Sequence, residues 1–214
     1  QYTQVPLNTI DVNAGIPVAP TEMVRHNGSL FAIIIKPNSS ETGWLWRSDD
    51  DGDTWTRVNA VPDQDQTDTK ILELLSTGNG LFLFTYYSKL GFGQSYIQEI
   101  KGYRSTDGGA TFTEVFAFTD DHYFGDNFIT LGGLDEVNGR LYFYFSEEIS
   151  DNSRLFISEN NGTTWDEVYH ELGEIRSMTG HNGMYYIMSE QVVYWAGDQW
   201  LSDAASSGWA NGSG

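Results

Sequence analysis

Carboxylates are the side chains with most chemistry on offer in this sequence. The chain of 214 residues carries 30 Asp and Glu against 11 Lys and Arg, a formal net charge of −19. Two carboxyl groups roughly 5–10 Å apart across a cleft can hydrolyse a glycosidic bond, one as acid and one as base or nucleophile. Glu22, Glu73 and Glu174 fall in short strand-like stretches at about residues 21–25, 71–76 and 174–179. Asp126 sits just ahead of a fourth such stretch at 128–133. These four are the candidate catalytic acids. Arg25 and Arg176 share the same stretches and suit an anionic group. The segments leading into them add Asp68, Asp120, Asp121, His122 and Tyr123. Acids are so common here that chance also supplies such a cluster, and a polar, water-filled channel uses the same residues.

What would position these groups is a repeat. The pattern Ser-x-Asp/Asn-x-Gly-x-Thr-aromatic occurs three times: Ser48, Asp50, Gly52, Thr54, Trp55; Ser105, Asp107, Gly109, Thr111, Phe112; and Ser158, Asn160, Gly162, Thr164, Trp165. An Asn-Gly pair precedes an apolar run four times, at Asn27-Gly28, Asn79-Gly80, Asn138-Gly139 and Asn182-Gly183. Asn-Gly suits a type I′ hairpin, whose central residues both need positive φ. The following runs, SLFAIII, LFLFTYY, RLYFYF and MYYIM, are β-branched and aromatic. One unit therefore reads strand, Asn-Gly turn, strand, loop, strand, Ser-box turn, strand, and spans roughly 50 residues. Such a meander buries its faces by stacking on copies of itself.

The boxes resemble the Asp box, or bacterial neuraminidase repeat, found in sialidases, other glycoside hydrolases and sortilin-type receptors. The resemblance implies an all-β fold, a β-propeller of about four four-stranded antiparallel blades with Asp-box turns. The blades fall at approximately residues 18–62, 68–120, 126–172 and 174–206, in a single domain over 1–206. The phrase YTQV from Tyr2 repeats WTRV, FTEV and WDEV, so residues 2–6 can supply the outer strand of the last blade, whose own box is degenerate. A piece of a longer propeller is the alternative. Residues 207–214 read as a flexible tail or linker. In the family the boxes lie away from the catalytic centre, so Asp50, Asp107 and Asn160 are structural. A short side-chain carbonyl or carboxylate ties the turn and Gly supplies positive φ. A sialidase also needs three arginines around a carboxylate. The Arg-Ile-Pro signature of many sialidases is missing here, and Arg47 and Arg104 directly precede boxes.

Two functions stay open. One is a non-catalytic propeller for binding or assembly, with carbohydrate as a candidate ligand. The other is a glycoside hydrolase using carboxylates at a channel mouth. For binding, residues 88–101 lengthen the second unit and bring Leu90, Phe92 and Tyr96, to which Arg25, His122, Tyr123 and Arg176 are added. No cofactor is called for. Calcium is the one ion left open, because the run from Ser48 to Asp53 superficially resembles a calcium loop but fails its spacing. The acidity opposes nucleic acid and anionic membrane surfaces. No apolar run approaches the ~18 residues of a spanning helix, and without Cys there is no disulfide or thiolate chemistry. The expected partner is a glycan or protein on a surface or particle, with homo-oligomerisation open. The expected location is extracellular, at the cell surface or on a virion.

Overall fold

The computed structural model describes residues 20–35, 43–62, 64, 69–90, 95–123, 129–147, 152–169, 175, 177–181, 184–188 and 192–196. All regular elements among them are β-strands, and every pairing is antiparallel. The chain divides into two compact units, Gln1–Asp126 and Asn127–Gly214.

The first unit holds two four-stranded sheets. One is β1 (Pro20–His26), β2 (Ser29–Ile35), β3 (Gly43–Ser48) and β4 (Thr56–Arg57), paired in that order. The other is β5 (Thr69–Thr77), β6 (Gly80–Leu90), β7 (Ser95–Ser105) and β8 (Thr113–Tyr123). Alternation along the strands sends Val24, Phe31, Ile33 and Leu45 of the first sheet into one core with Ile71, Leu74, Leu81, Leu83 and Tyr103 of the second. Each fully buried large side chain there contributes about 1.5–3 kcal/mol. Strand β4 is only two residues long. Gln64 carries on where it stops: its amide donates to the Val58 carbonyl at 2.5 Å, and the Leu45 amide donates to its Oε1 at 3.4 Å.

The second unit holds β9 (Ile129–Val137), β10 (Arg140–Glu147), β11 (Asn152–Ser158) and β12 (Asp166–Tyr169) in one sheet. Strands β13 (Ser177–His181), β14 (Met184–Met188) and β15 (Val192–Ala196) form another. Within the β9–β12 sheet Phe145 stacks on Phe156 at a centroid spacing of 5.8 Å and meets Phe143 at 5.9 Å with the rings tilted by 48°.

All three box turns close between the same four positions. Ser48 Oγ accepts from the Gly52 amide at 2.8 Å and donates to Asp50 at 2.8 Å. Asp50 in turn accepts from the Thr54 amide at 2.8 Å and the Thr54 hydroxyl at 2.6 Å. Ser105, Asp107, Gly109 and Thr111 repeat this set. In the third turn Asn160 stands for Asp, and its Nδ2 donates to Thr164 Oγ1 at 2.7 Å, reversing one bond. Trp55 and Trp165 each donate an indole N–H to the box glycine carbonyl, at 3.0 and 3.2 Å.

Asp50 and Asp107 are held down to a pKa of about 2, first by the threonine hydroxyl, then by the threonine amide and the serine hydroxyl. A depressed carboxylate stabilises the fold fully above its ordinary value near 3.8 and loses that contribution as pH falls towards 2. The Asn160 turn has no such proton dependence. The double substitution Asp50→Asn with Asp107→Asn copies the third turn, so it is expected to fold and to flatten the loss of thermal stability between pH 4 and pH 2. An acid limb as steep as the parent's would assign that limb to other carboxylates.

Two expectations are corrected here. The second hairpin turns at Gly78-Asn79, because Thr77 pairs with Gly80. The Thr77 hydroxyl accepts from the Asn79 amide at 3.0 Å and tightens this alternative turn. The positive φ of Asn27, Gly28, Asn138 and Gly139 fits the Asn-Gly reading at the first and third hairpins. Asp120 to Tyr123, expected in a loop leading into the stretch at 128–133, instead complete β8.

Candidate functional site

The lengthened end of the β5–β8 sheet gathers several of the candidate binding residues. β5 ends its pairing with β6 at Thr69↔Tyr87, whereas β6, β7 and β8 run on. Beyond that point Leu90 is opposite Tyr96, Tyr96 opposite His122, Ser95 opposite Tyr123, and Asp121 opposite Ile97. The turn between β7 and β8 carries a box, so this extension lies at the opposite end of the sheet. Its base is anchored by a buried bond in which the Tyr86 hydroxyl donates to Gln98 Oε1 at 2.6 Å. Leu90, Tyr96 and His122 thus share one row across β6, β7 and β8 at one end of the sheet, and Asp121 and Tyr123 belong to the rows on either side of it. Phe92 belongs to the connection of β6 to β7 and lies outside the described residues.

The first strands of the two sheets place the acids differently. Glu22, on β1, is half-buried, and burial pushes its carboxyl up to about 7 against a weaker opposing bond from the Leu74 backbone. Glu73, on β5, adjoins Leu74. Leu74 enters the core shared with Val24, so alternation sends Glu73 to the other face of its sheet. Glu22 and Glu73 therefore do not face one another as a catalytic pair. Arg25 is held by Asp51 at 2.7 Å and by the Gly28 carbonyl at 3.1 Å, which ties it to the first box turn. Asp126, Glu174 and Arg176 lie outside the described residues.

Residue types alone did not single out Asp135. Strand β9 runs to Val137, further than the sequence suggested, and carries Asp135 opposite Tyr142. Burial raises the Asp135 carboxyl above its ordinary value despite a 2.8 Å bond from the Glu136 amide. The signal was available in the alternation that continues past Gly133 through Leu134. No group of three or more His, Asp or Glu among the described residues could hold a metal ion. No helix of the described residues is long and apolar enough to cross a membrane.

No protein-family profile matches the sequence, and no curated protein is significantly similar to it. The structure is similar to a protein of unknown function from Dyadobacter fermentans, 15% identical with a TM-score of 0.51, over 83% of this chain and 64% of that one. It is similar to YCF48 from Cyanidioschyzon merolae, also 15% identical with a TM-score of 0.51, over 92% of this chain and 57% of that one. A weaker likeness, with a TM-score of 0.48 and 13% identity, is to an exo-β-1,3-galactanase from Phanerochaete chrysosporium, over 82% of this chain and 43% of that one. The chain thus spans less than two thirds of the length of each. Its structural neighbours are propellers, and at such identities the likeness concerns the fold alone.

Proposed function

We propose that this chain is a propeller that binds or assembles, with carbohydrate as its ligand class, and that the lengthened end of the β5–β8 sheet is its contact surface. In this reading the repeated turns are Asp boxes and the blades number about four. Residues 2–6 supply the fourth strand beside β13–β15. The partner is a glycan, free or on a protein, at an extracellular, cell-surface or virion location.

The observation that carries the binding reading is the register Leu90–Tyr96–His122, one row across three strands. Aromatic rings suit the apolar faces of sugars, and carboxylates and imidazoles suit their hydroxyl groups. The box acids favour the same reading, because their oxygens are spent on tying turns. The alternative is a glycoside hydrolase working through inner-strand carboxylates. It draws on Glu22, which keeps its proton to about pH 7 and has the protonation state of a general acid.

The test is a broad glycan array, followed by affinity measurements on any glycan retained. Tyr96→Ala and His122→Ala are each expected to weaken binding about ten-fold or more, the weight of one well-placed aromatic contact. Their unfolding midpoints should stay near the parent's. Binding unaltered by both substitutions would remove this surface from the reading. A glycan that is cut while bound would favour the hydrolase.

A further inference from the structure

Within the first unit, β1 lies against β5, and two polar side chains of β1 bridge the strands on the face turned towards β5. His26 is buried. Its Nε2 accepts from Asn27 Nδ2 at 3.1 Å, so Nδ1 carries the hydrogen and donates it to Ser76 Oγ at 3.0 Å. Four residues earlier on the same face, the half-buried Glu22 carboxyl lies beside the Leu74 backbone, which weakly favours its ionised form. Val24, between them, joins the core shared by the two sheets. An apolar contact is thus flanked by a half-buried carboxyl and by an imidazole bonded across to β5.

The neighbouring charges are engaged elsewhere. Arg25 is on the other face of β1 with Asp51, and Arg47 of β3 is bonded to Asp49 and the Gly108 carbonyl. On β5, Lys70 stands over the Tyr86 ring at 5.9 Å and Glu73 is on the far face. From β2, Ser29 donates to Asp49. Among the described residues no cation is ion-paired with Glu22.

We propose that the β1–β5 seam is a proton-operated latch, closed while Glu22 holds its proton and loosened when the carboxyl gives that proton to water. The sign follows from burial. Ionisation of a half-buried carboxyl that no described cation pairs with costs free energy, whereas the opened strand exposes the carboxylate to water at no such cost. The closing contribution is complete below the ordinary value of 4.5 and is lost as pH rises through about 7. His26 acts in the opposite sense. Its burial lowers the imidazole below 6.5, so its contribution is complete above 6.5 and is lost as pH falls.

Because the two oppose, the decisive quantity is the comparison of the parent with Glu22→Gln. Amide hydrogen exchange on the full chain gives the opening constant at Leu74 at pH 5 and pH 8, each referred to the intrinsic exchange rate. The ratio of the parent's opening constant to that of Glu22→Gln is expected to rise at least ten-fold between the two pH values. Each unit of pKa displacement carries about a factor of ten, discounted here for the half-exposed carboxyl. A ratio that stays constant overturns the latch. If Glu22→Gln does not fold, the titration of the Glu22 carboxyl in the parent, followed by carbon NMR, decides instead. A midpoint near 7 supports the latch and one near 4.5 overturns it.

Discussion

Replacing Phe31 with alanine is expected to lower the free energy of unfolding by about 3–5 kcal/mol, the range for removing a fully buried aromatic side chain. Phe31 is 0% exposed and does more than fill volume. The second box turn rests on its ring: a Cβ built on Gly109 would come within 2.7 Å of Phe31 Cε1. The Arg47 guanidinium lies 5.7 Å from the ring centre and donates to the Gly108 carbonyl at 2.9 Å, so ring and cation together hold the turn of the neighbouring sheet. Gly109 also has a φ of 84°, which its lack of a Cβ makes inexpensive. Urea unfolding monitored by tryptophan fluorescence provides the measurement. A loss below about 1.5 kcal/mol would mean that the turn keeps its seat without the ring.

A second large effect is expected from Gly132→Ala, with a loss of about 3 kcal/mol from overpacking. Strand β9 carries one residue too many at this point: Gly133 pairs with Tyr144 and Leu131 with Phe145, leaving Gly132 as the bulge. A Cβ there would lie 2.1 Å from the Tyr144 ring and 2.4 Å from the Tyr144 carbonyl oxygen. The ring could swing aside, but the carbonyl belongs to the ladder. Gly133 is the internal control, since its Cβ would meet only the Tyr144 side chain, at 3.1 Å. Gly133→Ala should therefore cost under about 1 kcal/mol, as a shift of one side chain can absorb it. Equal thermal midpoints for the two variants would contradict a fixed bulge.

The box turns were legible in the sequence because every donor and acceptor lies within the motif itself. Ser48, Asp50, Gly52 and Thr54 satisfy one another without help from distant residues, so type and spacing suffice. The shift to Gly78-Asn79 was less visible, since Thr77 offers a local bond that competes with the Asn-Gly preference. Asp120 to Tyr123 look like loop residues by composition. Their ladder with β7 overrides that propensity, and an edge strand tolerates charge well. The opposition of Tyr96 to His122 depends on pairing across the second box and was not readable from either segment alone. The protonation of Glu22 was equally hidden, because it arises from β5 lying alongside β1.

The pairing order has a consequence for how the chain reaches its structure. Each strand of every described sheet pairs with its immediate neighbours in sequence and with no other strand. Ladders of this kind close through short excursions of chain, and the entropy of each closure is small because it grows with loop length. Assembly can therefore proceed hairpin by hairpin during synthesis, with the first sheet complete in its own hydrogen bonds before the last has left the ribosome. Contact order within each described sheet is low for an all-β protein, so a single sheet is expected to form faster than one whose strands find partners across the chain.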